Sequence, residues 1–153
     1  MDESIKVVAF LIGSQRYGIP VQNVLGIEKM QPITEVPQTS DFIKGIINLR
    51  GEITPALDLK QRLRLGVTEH AEETRILIVT MNDMQVGLIV DAATDVMTLD
   101  TNALEDAPEM TNGISTSFIE GVANLEDNLL ILLNLEYILD FTEVNEVNEM
   151  IDN

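Results

Sequence analysis

Side chains capable of acid–base or nucleophilic chemistry are few in this chain and stand apart from one another. His70 is the single histidine, and it lies in the polar segment TEHAEET, in a chain without cysteine. An imidazole there could accept a phosphoryl group or act as a base, but the segment is typical of a solvated loop. The five serines have no histidine near them in the order of a nucleophilic triad. We therefore expect no catalytic site and a protein that is not an enzyme.

The carboxylates offer three candidate sites, and each has a structural explanation. Asp58 ends an apolar stretch as a phosphoacceptor aspartate would, yet the partner acids and lysine of such a site are missing, so its place before LKQRL predicts a helix cap. The segment DTNALEDAPEMTNG (100–113) lacks the alternating oxygen ligands of a calcium loop. Asp91 and Asp95 would pair on a helix, but they flank a predicted strand or turn. We expect no metal and no cofactor.

Charge and glycine placement exclude several classes of ligand. The net charge is −17; residues 76–153 carry sixteen acids and no Lys or Arg, whereas residues 1–75 carry ten acids against all nine basic residues. The second half repels phosphates, so we expect neither nucleic-acid binding nor association with anionic membranes. The nine glycines form no phosphate-binding loop. A surface that recognises a partner through positive charge is therefore expected in the first half.

The chain shows no sign of export or membrane insertion. It contains no cysteine, and its first residues, MDESIKVV, resemble no signal peptide. Its longest apolar run, Leu129 to Leu133, is far shorter than a membrane-spanning segment. We expect a cytoplasmic protein.

The arginine with the most distinctive setting is Arg50, which lies near the end of the stretch FIKGIINLRG (42–51). The same pattern returns 76 residues later as FIEGVANLED, with Glu126 in place of the arginine. Over 22 aligned residues, eight positions are identical: Phe42/Phe118, Ile43/Ile119, Gly45/Gly121, Asn48/Asn124, Leu49/Leu125, Leu57/Leu133, Leu59/Leu135 and Leu63/Leu139. The identical positions form a common frame, whereas the residues at the tip, Arg50 and Glu126, differ. Two interpretations remain: both tips are solvated turns, or the first copy uses its tip for recognition.

A second echo, at an offset of 69, precedes each copy and completes a repeated unit. The corresponding positions are Gly18/Gly87, Val21/Val90, Val24/Ala93 and Ile27/Val96. Each set follows an apolar strand-like run, VVAFLI in the first half and ILIVTM in the second. The order strand, turn, strand, loop, strand, turn, strand, short helix therefore occurs twice, which predicts an all-β fold of small barrels or a sandwich.

Local chemistry predicts how these elements connect and end. Turn-forming clusters rich in Gly, Asn and Asp lie at residues 13–16, 50–51, 82–83 and 127–128. Asp58 and Asn134 hold equivalent places before short helical turns. Pro20 cannot donate to a central ladder, which predicts an edge position or a bulge for its strand.

The junction and the C-terminal tail are the polar segments of the chain. GVTEHAEET (66–74) lies between the two copies and is interpreted as their junction. The tail from Thr142 onward places Val144, Val147 and Ile151 at near-helical spacing among acids, which predicts partial order.

Taken together, four segments resemble the CheW family of chemotaxis coupling proteins. They are YGIPVQNV (17–24), FIKGIINLRGEITPALDL (42–59), VGLIVDAATDV (86–96) and IEGVANLEDNLLILLNL (119–135), with VP at 36–37 between the first two. The resemblance covers roughly residues 5–140. It implies a mainly β protein with short helices, built as two intertwined five-stranded SH3-like β-barrels. Residues 1–68 would form the first barrel repeat, residues 69–141 the second with strands exchanged, and residues 142–153 an acidic tail.

The resemblance also implies a function. Members are adaptors without enzymatic activity that couple the cytoplasmic tips of methyl-accepting chemotaxis receptors to the regulatory domain of the histidine kinase CheA. The expected location is the cytoplasm, at membrane-associated receptor arrays. Two alternatives stay open: a CheW-like adaptor of a non-motility chemosensory array, and a β-barrel protein that binds a small molecule.

Carried over position by position, the resemblance assigns two sets of site residues. The receptor-binding set is Gly45, Asn48, Arg50, Gly51 and Val96. The kinase-binding set is Val8, Val21 and Val24. A valine in a β-strand commonly packs in a core, so packing is the alternative role for the valines.

One position departs from the family pattern. Members commonly carry an acid before the isoleucine of the strand VLGI, where it can pair with the arginine of NLRG. This chain has Gly26 there instead. Arg50 is then expected to pair with Glu28 or Glu52, or to remain free for a partner.

Overall fold

The computed structural model describes residues 3–37, 39–107, 110–111, 114–126 and 128–152. The strands are β1 (Ser4–Ile12), β2 (Gln15–Pro20), β3 (Val24–Lys29), β4 (Ile43–Leu49), β5 (Glu52–Asp58), β6 (Arg75–Met81), β7 (Met84–Val90), β8 (Ala92–Asp100), β9 (Leu104–Glu105), β10 (Met110–Thr111), β11 (Ile114–Ser115), β12 (Ile119–Asn124) and β13 (Leu129–Leu133). The α-helices are α1 (Leu59–Arg62) and α2 (Phe141–Asp152). Single 3-10 turns span Val21–Asn23, Thr101–Ala103, Thr116–Phe118 and Leu135–Tyr137.

The strands form two main sheets, and each sheet mixes the two halves of the chain. The first sheet has the order β8-β1-β2-β13-β12-β9, and the second has the order β3-β6-β7-β5-β4. The short strands β10 and β11 pair only with each other in the described part of the chain. The predicted mainly β fold is confirmed.

The halves are joined by two equivalent parallel pairings. Strand β13 pairs with β2, with Leu132 opposite Gly18, and β5 pairs with β7, with Ala56 opposite Gly87. These residues correspond to one another at the offsets of 76 and 69 that separate the repeats. Each half therefore lends its first hairpin to the last hairpin of the other half.

Three apolar clusters support this arrangement. The largest lies between the sheets and contains side chains of both, such as Phe10 and Ile19 of the first sheet and Leu77 and Leu88 of the second. Two smaller clusters each contain buried residues of one sheet only. Each sheet thus packs one face on the shared core and its other face around a core of its own. Burial of each such Leu, Ile or Phe side chain stabilises the fold by about 1.5–3 kcal/mol.

The hairpin turns follow the predicted chemistry. Arg50 and Gly51 have φ of 53° and 88°, and Asn82 and Asp83 have φ of 51° and 60°. Two consecutive residues with positive φ make a turn whose twist matches that of the flanking strands. The predicted turns at 50–51 and 82–83 are confirmed. The turn predicted at 127–128 includes Asp127, which lies outside the described residues.

The two predicted caps are also present. The carboxylate of Asp58 accepts a hydrogen bond from Gln61 N at 3.3 Å and caps α1. Asn134 Oδ1 accepts one from Glu136 N at 3.2 Å, but the element it caps is a single 3-10 turn.

The expectation for Pro20 was wrong. Its strand β2 lies inside the first sheet, between β1 and β13. The proline is tolerated because it is the last residue of β2, while β13 pairs only with Arg16, Tyr17 and Gly18. The missing N–H therefore lies beyond the β2–β13 ladder, and Pro20 stands opposite Val7 at the end of the β1–β2 ladder.

The acidic tail forms a helix that is packed on the shared core. Val147 and Met150 of α2 are buried, and Val144 and Ile151 pack beside them. Two carboxylates of α2 tie it to the first half of the chain. Glu143 lies 3.0 Å from Arg62 Nη2, and Glu146 accepts a hydrogen bond from Ser40 Oγ at 2.8 Å. The helix is thus part of the folded unit.

Candidate partner-binding surface

The turn between β4 and β5 displays Arg50 to solvent. The backbone N–H of Gly51 donates to Asn48 Oδ1 at 2.9 Å, so the asparagine side chain closes the turn from within. Gly51 tolerates its positive φ without steric cost. Asn48 and Gly51 therefore shape the turn, and the Arg50 side chain, which is 84% exposed, is the group it presents.

Arg50 has one ionic partner in the described part of the chain. Its Nη2 lies 3.5 Å from Glu28 Oε1, a long separation for a charged hydrogen bond. A guanidinium has five N–H donors in a planar fork, and this contact uses one. Of the alternatives left open by the sequence, the Glu28 pairing is observed, and most of the donor capacity of Arg50 faces water.

Gly45 has a different role from the other members of the predicted receptor set. It is buried, its φ is 144°, and a Cβ atom placed on it would lie 2.0 Å from Thr34 O. The linker after β3 crosses β4 here, where Thr34 and Ile46 pair through two backbone hydrogen bonds of 2.8 and 2.9 Å. Gly45 therefore supports β4 by allowing a close backbone crossing.

A concavity of about 250 Å³ lies beside the Arg50 turn. Its lining residues come from β3, β4, β5, β6 and β7 and from the turn itself: Leu25, Gly26, Glu28, Leu49, Arg50, Glu52, Ile78 and Gln85. The concavity combines apolar walls with charged groups at its rim. Such a combination suits the burial of a partner side chain with specific polar contacts around it.

Val96 lies on the other sheet. It pairs with Val8 from the edge strand β8 and is 59% exposed. Val96 is not among the described residues that line the Arg50 concavity. The structure thus brings Asn48, Arg50 and Gly51 together in one turn and places Val96 outside the lining of the cavity that Arg50 borders.

The three valines assigned to kinase binding differ in exposure. Val8 is 3% exposed and belongs to the shared core, so its side chain has almost no surface to offer a partner. Val21 and Val24 are half-buried and pack against the same core. They lie on the 3-10 turn and at the start of β3, an edge strand that pairs only with β6 in the described part of the chain.

Sequence reasoning missed two exposed apolar side chains on that edge strand. Leu25 is 58% exposed and Ile27 is 45% exposed. The signal was present in VLGIEK, where apolar residues occupy both alternating faces of the strand. An edge strand with apolar residues on its solvent face marks a surface that a partner can cover.

Asp58 and Tyr17 have roles in hydrogen bonding and packing, and His70 lies in solvent. Asp58 is buried and also accepts hydrogen bonds from Thr68 N at 2.9 Å and Thr68 Oγ1 at 2.7 Å. Burial raises the pKa of Tyr17 to about 12, and its ring stacks on Phe10 with 5.8 Å between centroids. His70 is exposed in its loop. Within the described residues, no group of three His, Cys, Asp or Glu side chains is placed to hold a metal ion.

No helix within the described ranges is both long enough and apolar enough to cross a bilayer.

Comparison with known proteins agrees with this architecture. The family model described as CheW-like domain matches residues 6–143. A relative named chemotaxis protein CheW from Bacillus subtilis (strain 168) is 40% identical over 135 residues, which cover 88% of this chain and 86% of the relative. Another of that name, from Klebsiella aerogenes, is 31% identical over 141 residues, covering 92% and 85%.

A solved structure gives the same result for the fold. The scaffolding protein TtCheW from Thermoanaerobacter tengcongensis superposes with a TM-score of 0.84 at 37% sequence identity, covering 92% of this chain and 91% of that chain. The resemblance inferred from the sequence motifs is confirmed, and the chain belongs to the CheW-like family.

Proposed function

We propose that this protein is a chemotaxis adaptor that couples methyl-accepting receptors to the regulatory domain of the histidine kinase CheA, in the cytoplasm at receptor arrays. The observation that carries the proposal is the exposed Arg50 turn beside an apolar concavity, in a chain of the CheW-like family. The proposal assigns the protein a scaffold role, in which two binding surfaces hold two partners and no bond is made or broken.

The receptor surface is the Arg50 turn with the concavity beside it. A receptor tip is helical and presents apolar and polar side chains to its partners. The apolar walls formed by Leu25 and Leu49 can bury the first kind. The free donors of Arg50 can bind a carboxylate or an amide of the second kind. Gly45, Asn48 and Gly51 hold the turn in place, and Val96 is a separate contact on the other sheet.

The kinase surface is the 3-10 turn and the start of β3. Val21 and Val24 are half-buried there, so part of each side chain is available to an apolar partner surface. Val8 supports this region from the core and is not proposed as a direct contact. Two weak contacts on one small scaffold become durable when each component of an array holds two others.

The receptor contact is tested by Arg50→Glu in co-sedimentation with vesicles that carry the receptor from the same genome. We expect a loss of affinity of about tenfold, because a displayed cation is reversed at the centre of the surface. Arg64→Glu is the matched control, since Arg64 is also exposed and has a positive φ of 63°. Equal co-sedimentation of the Arg50 variant and the wild type would remove Arg50 from the receptor surface.

The kinase contact is tested by Val24→Asp and Val21→Ser in calorimetry against the CheA regulatory domain of the same genome. Both variants should bind more weakly, because a polar group enters an apolar contact. Val67→Asp is the control, because Val67 is 55% exposed and lies outside the proposed surface. Thermal melts of all variants separate lost contact from lost fold, and unchanged binding by a folded Val21→Ser protein would exclude this surface.

A further inference from the structure

Gly26 lines the concavity beside Arg50 and contributes no side chain to it. Gly26 lies in the middle of β3, and a Cβ atom built on it meets nothing within 4 Å. Its φ lies outside the left-handed region, so the backbone does not require a glycine there. Gly26 lies where the β3–β6 register shifts after Val24, but neither a left-handed φ nor a close contact requires a glycine at this position. What it provides is space, which we name the Gly26 notch.

The deep wall of the notch is apolar and rigid. Leu49 and Ile78 are 9% and 3% exposed and belong to the core of the second sheet. Leu25 forms an outer wall and is 58% exposed. A partner side chain with an aliphatic stem would cover these three apolar surfaces, and removing them from water favours binding.

The rim of the notch has an excess of negative charge. Arg50 lies 3.5 Å from Glu28, so the formal charges of this pair cancel, although most of the Arg50 side chain projects into solvent. Glu52 also lines the concavity, and within the described part of the chain it makes no ion pair. Gln85 supplies an uncharged amide, which donates to Thr54 Oγ1 at 3.3 Å. One uncompensated carboxylate thus faces the opening, on a protein of net charge −17.

We propose that the Gly26 notch binds a lysine or arginine side chain of the docked receptor helix. The aliphatic stem lies along Leu25, Leu49 and Ile78, and the cationic head lies at the carboxylate of Glu52. The assignment rests on the proposed function for the identity of the partner, whereas the chemistry of the notch rests on this chain alone. Gly26 and Glu52 are then the residues that set which receptor side chain is accepted.

The chemistry is tested by chemical-shift mapping of the isotope-labelled protein with small probes. n-Butylguanidinium and n-butylammonium carry the stem and the charge, methylammonium carries the charge alone, and n-butyrate carries the stem with the opposite charge. We expect shifts at the amides of Leu25, Gly26 and Leu49 with the two butyl cations. Methylammonium and butyrate should leave the chemical shifts of these amides unchanged.

Two variants show whether the notch itself is responsible. Gly26→Leu fills the space without backbone strain, and it should abolish the local shifts while the thermal melt stays unchanged. Glu52→Gln keeps the shape and should reduce the preference for cations over butyrate. The proposal is overturned if butyrate shifts the same amides as strongly, if the shifts persist in Gly26→Leu, or if no probe shifts them.

The receptor assay distinguishes the notch from the proposed function. Gly26→Leu should reduce co-sedimentation with receptor vesicles about tenfold, as expected for an anchor pocket that is filled. If the wild-type protein binds the butyl cations at the notch but binds no receptor, the proposed function is overturned, whereas the preference of the notch for a cationic side chain still holds. Receptor binding that is the same in the wild type and in Gly26→Leu would exclude the notch from that interface.

Discussion

The β4–β5 hairpin and the β12–β13 hairpin share a frame but differ at the tip. In both, the residue that caps the following helical turn donates from its backbone to the phenylalanine at the start of the unit: Asp58 N to Phe42 O at 2.8 Å, and Asn134 N to Phe118 O at 2.9 Å. The first tip is a two-residue turn that displays Arg50. In the second, Leu125 N donates to Asn128 O at 2.8 Å, so the connection is longer.

The crossings beside the two hairpins explain why the frame is retained. Ile46 pairs with Thr34 in the first unit, and its equivalent Val122 pairs with Glu105 in the second. A linker thus crosses each hairpin at the same place, next to Gly45 or Gly121. Buried backbone groups must be paired, which restricts sequence at these positions. In the part of the two tips that the structure describes, no linker pairs with the hairpin, so this restriction does not apply to the sequence there.

The halves also differ where they meet. The guanidinium of Arg62 lies 5.2 Å from the Phe42 ring centroid and 4.8 Å from that of Phe118, the two equivalent phenylalanines. Its Nε donates at 2.6 Å to the carbonyl of Ile138, the residue that corresponds to Arg62 in the second copy. Arg62 thus contacts the residue at its equivalent position in the other half, which places it close to the axis that relates the two halves. With an arginine in one copy and an isoleucine in the other, the contact between the halves is asymmetric at this position.

The largest expected effect comes from Gly45→Ala. The added methyl would meet Thr34 O at 2.0 Å at a φ of 144°, so we expect a loss of about 3 kcal/mol or more in the free energy of unfolding. Gly121→Ala is the matched change, with Glu105 O at 3.2 Å from the new atom, and should cost about 1 kcal/mol. Urea denaturation measures both. Equal losses would mean that the two crossings are equally tight.

Arg62→Met tests the asymmetric contact between the halves. The variant keeps the aliphatic volume but removes the charge between the two rings. It also removes the ionic partner of Glu143, which is 15% exposed and keeps its hydrogen bond from Asp140 N. We expect a loss of about 2 kcal/mol. Lys60→Met on the same helix should cost less than about 0.5 kcal/mol, because its 3.9 Å pair with Asp91 is partly solvated. Similar urea midpoints for the two variants would contradict a special role for Arg62.

Tyr17 is a further difference between the two halves, and it should affect the stability of the protein at alkaline pH. Its equivalent in the second half is Val86, so only one half buries a phenol in the shared core. Burial raises its pKa to about 12, against an ordinary value near 10. A raised folded-state pKa means that the folded state holds the proton more tightly. The resulting stability is present below about pH 10 and is lost as the pH rises toward 12.

Ultraviolet titration of tyrosinate checks this prediction. Tyr17 should ionise in a late phase near about pH 12, and Tyr17→Phe should remove that phase and the associated alkaline loss of stability. Identical titration curves for the wild type and Tyr17→Phe above about pH 11 would contradict the effect of burial.

The smallest expected effect has the opposite sign. Arg50 holds a φ of 53°, which is unfavourable for a long side chain and well tolerated by asparagine. Arg50→Asn should therefore raise the free energy of unfolding by about 0.5 kcal/mol while weakening receptor binding. Glu126→Asn is the control, because Glu126 is not among the residues with positive φ in the described part of the chain. Stabilisation of both variants alike would show that the backbone at Arg50 is not strained.

Much of the local structure could be predicted because its causes are local. Consecutive residues that tolerate positive φ predicted the turns at 50–51 and 82–83, and both are present. Asp58 and Asn134 were placed correctly as caps because a cap depends on the next few residues. The internal repeat predicted the paired frame, since two stretches with the same buried pattern fold alike.

The errors and omissions concern contacts between distant segments. The place of Pro20 was wrong because the neighbours of a strand are decided by residues far away in the chain, here those of β13. The burial of Val8 and the exposure of Leu25 depend on which face meets the second sheet, which alternation within one strand does not reveal. Phe141 and Tyr137 remain exposed for the same reason, although both are aromatic.

The amino-acid sequence by itself determined the repeated unit, its turns and caps, the family and the position of the displayed arginine. These depend on residue type and short-range spacing, which the chain carries directly. Only the tertiary structure decided which hairpins the halves exchange, that Gly45 supports a crossing, and that Gly26 leaves a notch beside Arg50. Those features depend on the packing of segments far apart in the chain. The role of each glycine depends on which residues of other segments lie around it.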